Sequence, residues 1–132
     1  MAFEQLSIPE EDYTAAERAK TIAEHNDRFR NTWGADFTIS GQIVMTQAVA
    51  ALSPAWMARM MQAIQHFDDF TEDNDPYGDH SFGAVEITIA SATKTIWFKI
   101  DLYDLNLEYG AEDPTDLDQT KRVMTILFPS DY

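Results

Sequence analysis

From Pro9 to Arg30 the apolar and small positions recur every three or four residues. Tyr13, Ala16, Ala19, Ile22, Ala23, Asn26 and Phe29 fall on one side with charges between them, which predicts an amphipathic helix. Ser7 or the acids at 10–12 suit its start, and Arg28 and Arg30 suit its end. Asn31 to Asp36, with Gly34, reads as a turn. Between Phe37 and Thr46 the period shortens to two: Phe37, Ile39, Gly41, Ile43 and Met45 alternate with Thr38, Ser40, Gln42, Val44 and Thr46, as in a strand. Ser53-Pro54 supplies a capping hydroxyl followed by proline at the first helical position, so a second helix starts there and runs to about Phe67. Its stripe is Trp56, Met57, Met60, Met61, Ile64 and Phe67, and the methionines at this spacing read as core filling. Ala84–Ala90 and Lys94–Tyr103 alternate again and predict a hairpin turning near Ser91-Ala92-Thr93. Thr120–Phe128 is apolar on both faces, which suits a central strand.

The fold these elements predict is α+β. It is a single domain at 10–132 with two helices packed on one face of a roughly four-stranded, mainly antiparallel sheet; residues 1–9 form a flexible lead-in. A length of 132 residues and 45% hydrophobic content suit one ordinary globular core. No apolar run is long enough to span a bilayer, and MAFEQLSIPEED has neither the basic nor the apolar region of a signal peptide. The absence of cysteine excludes disulfides and thiolate metal sites and agrees with a cytoplasmic location.

Charge changes the picture most. The net charge is −14, and residues 66–118 hold fourteen acids against only Lys94 and Lys99. That field repels nucleic acid and anionic membranes and attracts basic protein surfaces. Its densest part is His66–Gly83, HFDDFTEDNDPYGDHSFG. There Asp68, Asp69, Glu72, Asp73, Asp75 and Asp79 are interleaved with Phe67, Phe70, Tyr77 and Phe82. The rings are expected to pin the segment to the body while the carboxylates face out. Residues 104–118 form a second acidic loop, with Asp104, Glu108, Glu112 and Asp113.

Counted from Asp73, the first loop echoes a calcium-binding EF-hand: acids stand at positions 1, 3 and 7 and glycine at 6. Position 5 is Tyr77 and position 12 is Ala84 instead of a bidentate glutamate, so the motif fails. Asn74, Asp75, Pro76 and Gly78 read better as turn residues. His25, His66 and His80 show no metal-ligand spacing, and no cofactor fingerprint occurs. On the predicted Lys94–Tyr103 strand, Trp97, Lys99, Asp101 and Tyr103 share a face. They form either an acid–base site or a cross-strand ion pair shielded by aromatics.

The runs NDRFR at 26–30, FDDFTEDNDPYGDHSFG at 67–83, WFKIDLYD at 97–104, YGAEDP at 109–114 and KRVMTIL at 121–127 carry a resemblance. From Ile22 to Tyr132 the chain resembles a family of short bacterial proteins known only as a domain of unknown function. The resemblance implies carriage by plasmids and phages of alphaproteobacteria and supplies no catalytic residue. The expected function is therefore a non-enzymatic acidic binding module with no cofactor. Its partner would be a basic protein surface, such as that of a host nucleic-acid-binding defence protein. Asp68, Asp69, Glu72, Asp73, Asp75, Tyr77, Asp79, Asp104, Glu108, Glu112 and Asp113 would carry recognition. The alternatives are a small enzyme on the Lys99/Asp101 face and a cation-stabilised structural domain.

Overall fold

The computed structural model describes residues 10–132, and the side chains of the first helix from residue 15 onward. The expected lead-in at 1–9 and Tyr13 of the helical stripe lie outside the described residues. Among the described residues three α-helices, α1 (Glu10–Asn31), α2 (Gln47–Ala50) and α3 (Pro54–Gln65), accompany four strands: β1 (Gly41–Met45), β2 (Phe82–Ile89), β3 (Ala92–Tyr103) and β4 (Lys121–Leu127). The strands form one mixed sheet in the order β1-β4-β3-β2. β2 and β3 form the expected antiparallel hairpin and β3 pairs antiparallel with β4, whereas β1 runs parallel to β4. β4 is interior, as its two apolar faces predict.

One sheet face is covered. Val85, Ile87, Ile96, Phe98, Ile100, Met124 and Ile126 project from it and are buried with Phe29 of α1, Val49 of α2 and Met60 and Ile64 of α3. Met57 and Met61 pack against this core. On the opposite face Trp97, Lys99, Asp101 and Tyr103 are only half-buried.

Several local expectations need correction. The first strand begins at Gly41, and Phe37 is fully exposed. The physical reason is Asp36, whose Oδ1 accepts from the Thr38 amide at 2.9 Å and whose carbonyl accepts from the Ile39 amide, so 36–39 closes into a turn. Only Ile39 of that stretch is buried. A short helix, α2, was not foreseen; Thr46 caps it by accepting from the Val49 amide. Ala16, placed on the inner stripe, is exposed, and burial along the described part of α1 begins at Arg18 and Ala19. The hairpin turn is Ala90-Ser91, one residue earlier than expected, with Ala90 at φ 56°. Ser53 does cap α3 ahead of Pro54.

Two glycines set close approaches. A Cβ on Gly41 would lie 2.6 Å from the Phe29 ring and 2.7 Å from the Arg122 carbonyl oxygen. One on Gly83 would enter the Phe98 ring and come within 2.9 Å of Phe67. The second approach seats the start of the acidic loop.

Candidate functional site

The first acidic loop is anchored by part of its aromatic set. Phe67 sits edge-on to Phe98 and to Phe70, with ring centroids 5.5 and 4.9 Å apart. Phe82 lies edge-on to Trp97 on the far sheet face. Tyr77 is not an anchor: it is 81% exposed, next to Gly78 at φ 72° in the turn. Between the anchors the loop is wound by its own polar groups. Thr71 donates its amide to Asn74 Oδ1 at 2.8 Å, Asn74 Nδ2 donates to the Asp69 carbonyl, and the Asp75 amide donates to the Thr71 carbonyl. This winding exposes Asp68, Asp69, Glu72 and Asp73 as expected.

It also corrects the expectation for Asp75 and qualifies it for Asp79. Asp75 turns inward, its side chain 7% exposed, and its Oδ1 accepts the His80 amide at 3.1 Å. Asp79 has a buried Oδ1 with no hydrogen-bond partner among the described residues. Asp75 thus faces inward, and Asp79 keeps one carboxylate oxygen inside while the residue is half-buried.

What holds this loop to the body is a polar seam on α1. Asn26 Nδ2 donates to the Asp79 carbonyl at 2.9 Å, and Arg122 Nε donates to Asn26 Oδ1 at 2.7 Å. His80 Nδ1 lies 2.9 Å from both carboxylate oxygens of Asp27. The His80 ring stacks face to face on Phe70, with centroids 3.9 Å apart and planes within 3°. Arg30, almost fully buried, donates to the carbonyls of Ile64 and Phe67 at 3.0 and 2.8 Å and to Asp27 at 3.1 Å. Its guanidinium lies 5.3 Å from the centroids of both Phe70 and Phe98. Arg30 thus gives a charged donor to the Phe67 carbonyl just beyond α3 and a second donor to the Ile64 carbonyl, which also accepts the Phe67 amide. A cleft of about 480 Å³ opens here, lined by Asp27, Arg30, Phe67, Phe70 and His80, with Asn31, Gln65, His66 and Asp68 around them.

The seam has unpaired members. Arg122 is fully buried, and its Nη1 and Nη2, like Nδ1 of His25, have no partner among the described residues. Burial pushes the Arg122 guanidinium down to about 10. Burial, then the charges of Arg122 and Arg28, push the His25 imidazole down as well.

The second acidic loop leaves the same end of the sheet as the first. That end consists of the starts of β1, β2 and β4 and the end of β3, as the pairings Gly41–Arg122, Phe82–Lys99 and Tyr103–Lys121 require. Asp104 Oδ1 accepts the Glu108 amide, and Gly110 bridges back to Tyr103. Glu108 and Glu112 are exposed, while Asp104 and Asp113 are half-buried. Asp113 accepts from Thr115 and from Arg18 of α1, and chiefly the Thr115 bonds hold its carboxyl below the usual range. Helix α1 therefore touches both acidic loops, through Arg18 near one and Asn26 and Asp27 near the other. The hairpin end opposite carries Lys94, stacked over Trp56, and Arg59, bound to the Thr88 carbonyl.

On the open sheet face, Lys99 Nζ donates to Asp101 Oδ2 at 2.9 Å, and Trp97 lies edge-on to Tyr132. The bond to Asp101 pushes the Lys99 ammonium up. A lysine acting as a base needs the opposite shift, so this geometry describes a surface ion pair. Among the described residues no three His, Asp or Glu side chains are grouped to hold a metal ion, and no helix is long and apolar enough to cross a membrane.

Sequence reasoning missed Asp27, Arg30 and Arg122 as site residues, and weighed His80 for its chemistry and not for holding the loop. The available signal was Asn26, a polar residue inside an otherwise apolar stripe, next to the charged pair at 27 and 28. No curated protein and no solved structure matches the chain. A family model matches residues 45–131, which takes in both acidic loops and β2 to β4 but leaves α1 and its NDRFR run outside. By that match the chain belongs to the family described as protein of unknown function (DUF3768).

Proposed function

We propose that this protein is a non-enzymatic binding module whose acidic end docks on a basic protein surface. The observation that carries the reading is the departure of both acidic loops from one end of the sheet, with α1 against each. Exposed carboxylates of the first loop (Asp68, Asp69, Glu72, Asp73) and of the second (Glu108, Glu112) then act together as one field. Such a field speeds encounter with a basic partner and disfavours acidic ones. Because the first loop is wound on its own hydrogen bonds, little ordering entropy is lost on docking. A groove built to bind phosphates, as in a host nucleic-acid-binding defence protein, is the partner this chemistry fits, and inhibition by occupying that groove is the proposed role for a protein carried by a mobile element.

The test is affinity capture from host lysate at about 50 and 500 mM salt, with duplex DNA as competitor. The expected result is a basic partner retained at low salt, released at high salt and displaced by DNA. The variant Asp68→Asn/Asp69→Asn/Glu72→Gln/Asp73→Asn should lose it while remaining folded. Equal capture by that variant overturns the reading.

A further inference from the structure

We infer that His80 is the positioning residue of the first acidic loop, and that its protonation sets how firmly the loop is held against α1. The inference rests on the docking reading only for its consequence in binding; the latch itself stands on geometry. His80 closes the loop and occupies the left-handed region at φ 57°, uncommon for a residue other than glycine and one that histidine enters more readily than most. Its ring plane is fixed by the face-to-face stack on Phe70. One ring nitrogen, Nδ1, meets Asp27 of α1 at 2.9 Å, and the other, Nε2, faces Asp75 of the loop at 3.7 Å. The imidazole is therefore clamped between a helix and the loop it must secure.

A neutral imidazole has one N–H and one lone pair. When its single proton sits on Nδ1 and serves Asp27, the Nε2 lone pair points toward the Asp75 carboxylate, an unfavourable approach. An imidazolium donates from both sides and attracts both carboxylates. Histidine is the side chain that makes this change between about pH 5 and 8. The charged groups around it are Asp27 and Arg30 from α1, His66 and Asp68 from the segment after α3, and Asp75 and Asp79 from its own loop. Arg30 is committed to Asp27 and two carbonyls, so it offsets part of the Asp27 charge and leaves Asp75 as the group that protonation of His80 engages. Lower pH thus fastens the loop and higher pH loosens it.

The experiment is amide hydrogen exchange of residues 71–80, corrected for intrinsic rates, at pH 5.5 and 8.0. Wild type is compared with His80→Asn, which tolerates the left-handed backbone, and with Asp75→Asn, which retains an oxygen for the His80 amide. Wild-type protection should fall by about three- to tenfold from the lower to the higher pH, the range for partly exposed ion pairs. Both variants should lose most of that change, with His80→Asn at the weakly protected level throughout. Subtraction of the variant profiles removes contributions from His25 and His66. A flat wild-type profile, or an unchanged pH response in both variants, overturns the inference. A deca-arginine peptide is titrated in parallel against wild type, His80→Asn and the four-site neutralised loop. If peptide affinity ignores the neutralised loop while exchange follows His80, the docking reading fails and the latch stands. If neutralisation abolishes peptide binding while His80→Asn changes neither exchange nor affinity, the latch fails and docking stands.

Discussion

Arg122 Nε and Asn26 Oδ1 meet at 2.7 Å, although 96 residues separate them in the chain. The bond joins an interior strand to α1, and the same asparagine reaches on to the Asp79 carbonyl. One amide side chain thus serves the sheet, the helix and the acidic loop.

Asn26→Ala should therefore be costly. It would leave the Arg122 Nε and the Asp79 carbonyl without their partner in buried surroundings, a loss of about 2–4 kcal/mol. Urea unfolding measures it; a change under 1 kcal/mol would mean that water replaces the amide at little cost.

Arg30→Met should destabilise by about 3–5 kcal/mol, since it leaves the Phe67 carbonyl without its charged donor, removes one of two donors to the Ile64 carbonyl and strips Asp27 of a cation. Arg30→Lys should recover little of this. A single ammonium cannot present the planar fork that reaches Ile64, Phe67 and Asp27 together. Thermal unfolding of the pair checks both halves; a lysine variant as stable as wild type would reduce the arginine to a mere charge.

Gly83→Ala should cost about 1–3 kcal/mol by overpacking against Phe98 and Phe67. Since Phe67 opens the acidic loop, exchange protection at 68–80 should fall further than elsewhere. Uniform loss across the domain would show that the loop is not seated through that ring.

Acid should expose the Asp36 turn. Bonds from the Thr38 hydroxyl and amide, then Arg28, hold the Asp36 carboxyl down to about 2. A carboxyl lowered in the folded state contributes stability that is complete above its unfolded value of about 3.8 and is lost as pH falls toward 2. Asp36→Asn should thus show a shallower decline of stability than wild type between pH 4 and 2. Parallel declines in urea titrations would remove Asp36 from the acid transition.

The hairpin, the interior strand, the Ser53 cap and the two faces of β3 were legible because each rests on local periodicity or a short cap. Phe37 misled because alternation continues through a turn that Asp36 enforces by hydrogen bonding. The site was less legible. Asp75 and Asp79 look like their exposed neighbours in sequence, and only the winding around Asn74 turns Asp75 inward. The Asp27–His80 pairing spans 53 residues, beyond the reach of any local pattern. Arg30 and Arg122 read as ordinary helix-end and strand charges until the fold buries them.

The position of β4 has a consequence for how the molecule assembles. It follows the other strands in the chain yet lies between β1 and β3, so until it inserts, β1 and the β2–β3 hairpin share no ladder. The parallel pairing of Gly41 with Arg122 closes a long loop before it yields any bond, which makes sheet completion intrinsically slow. Until then the facing edges of β1 and β3 lie open in addition to the outer edges of β1 and β2, so the late arrival of a single seven-residue strand halves the number of edges open to aggregation.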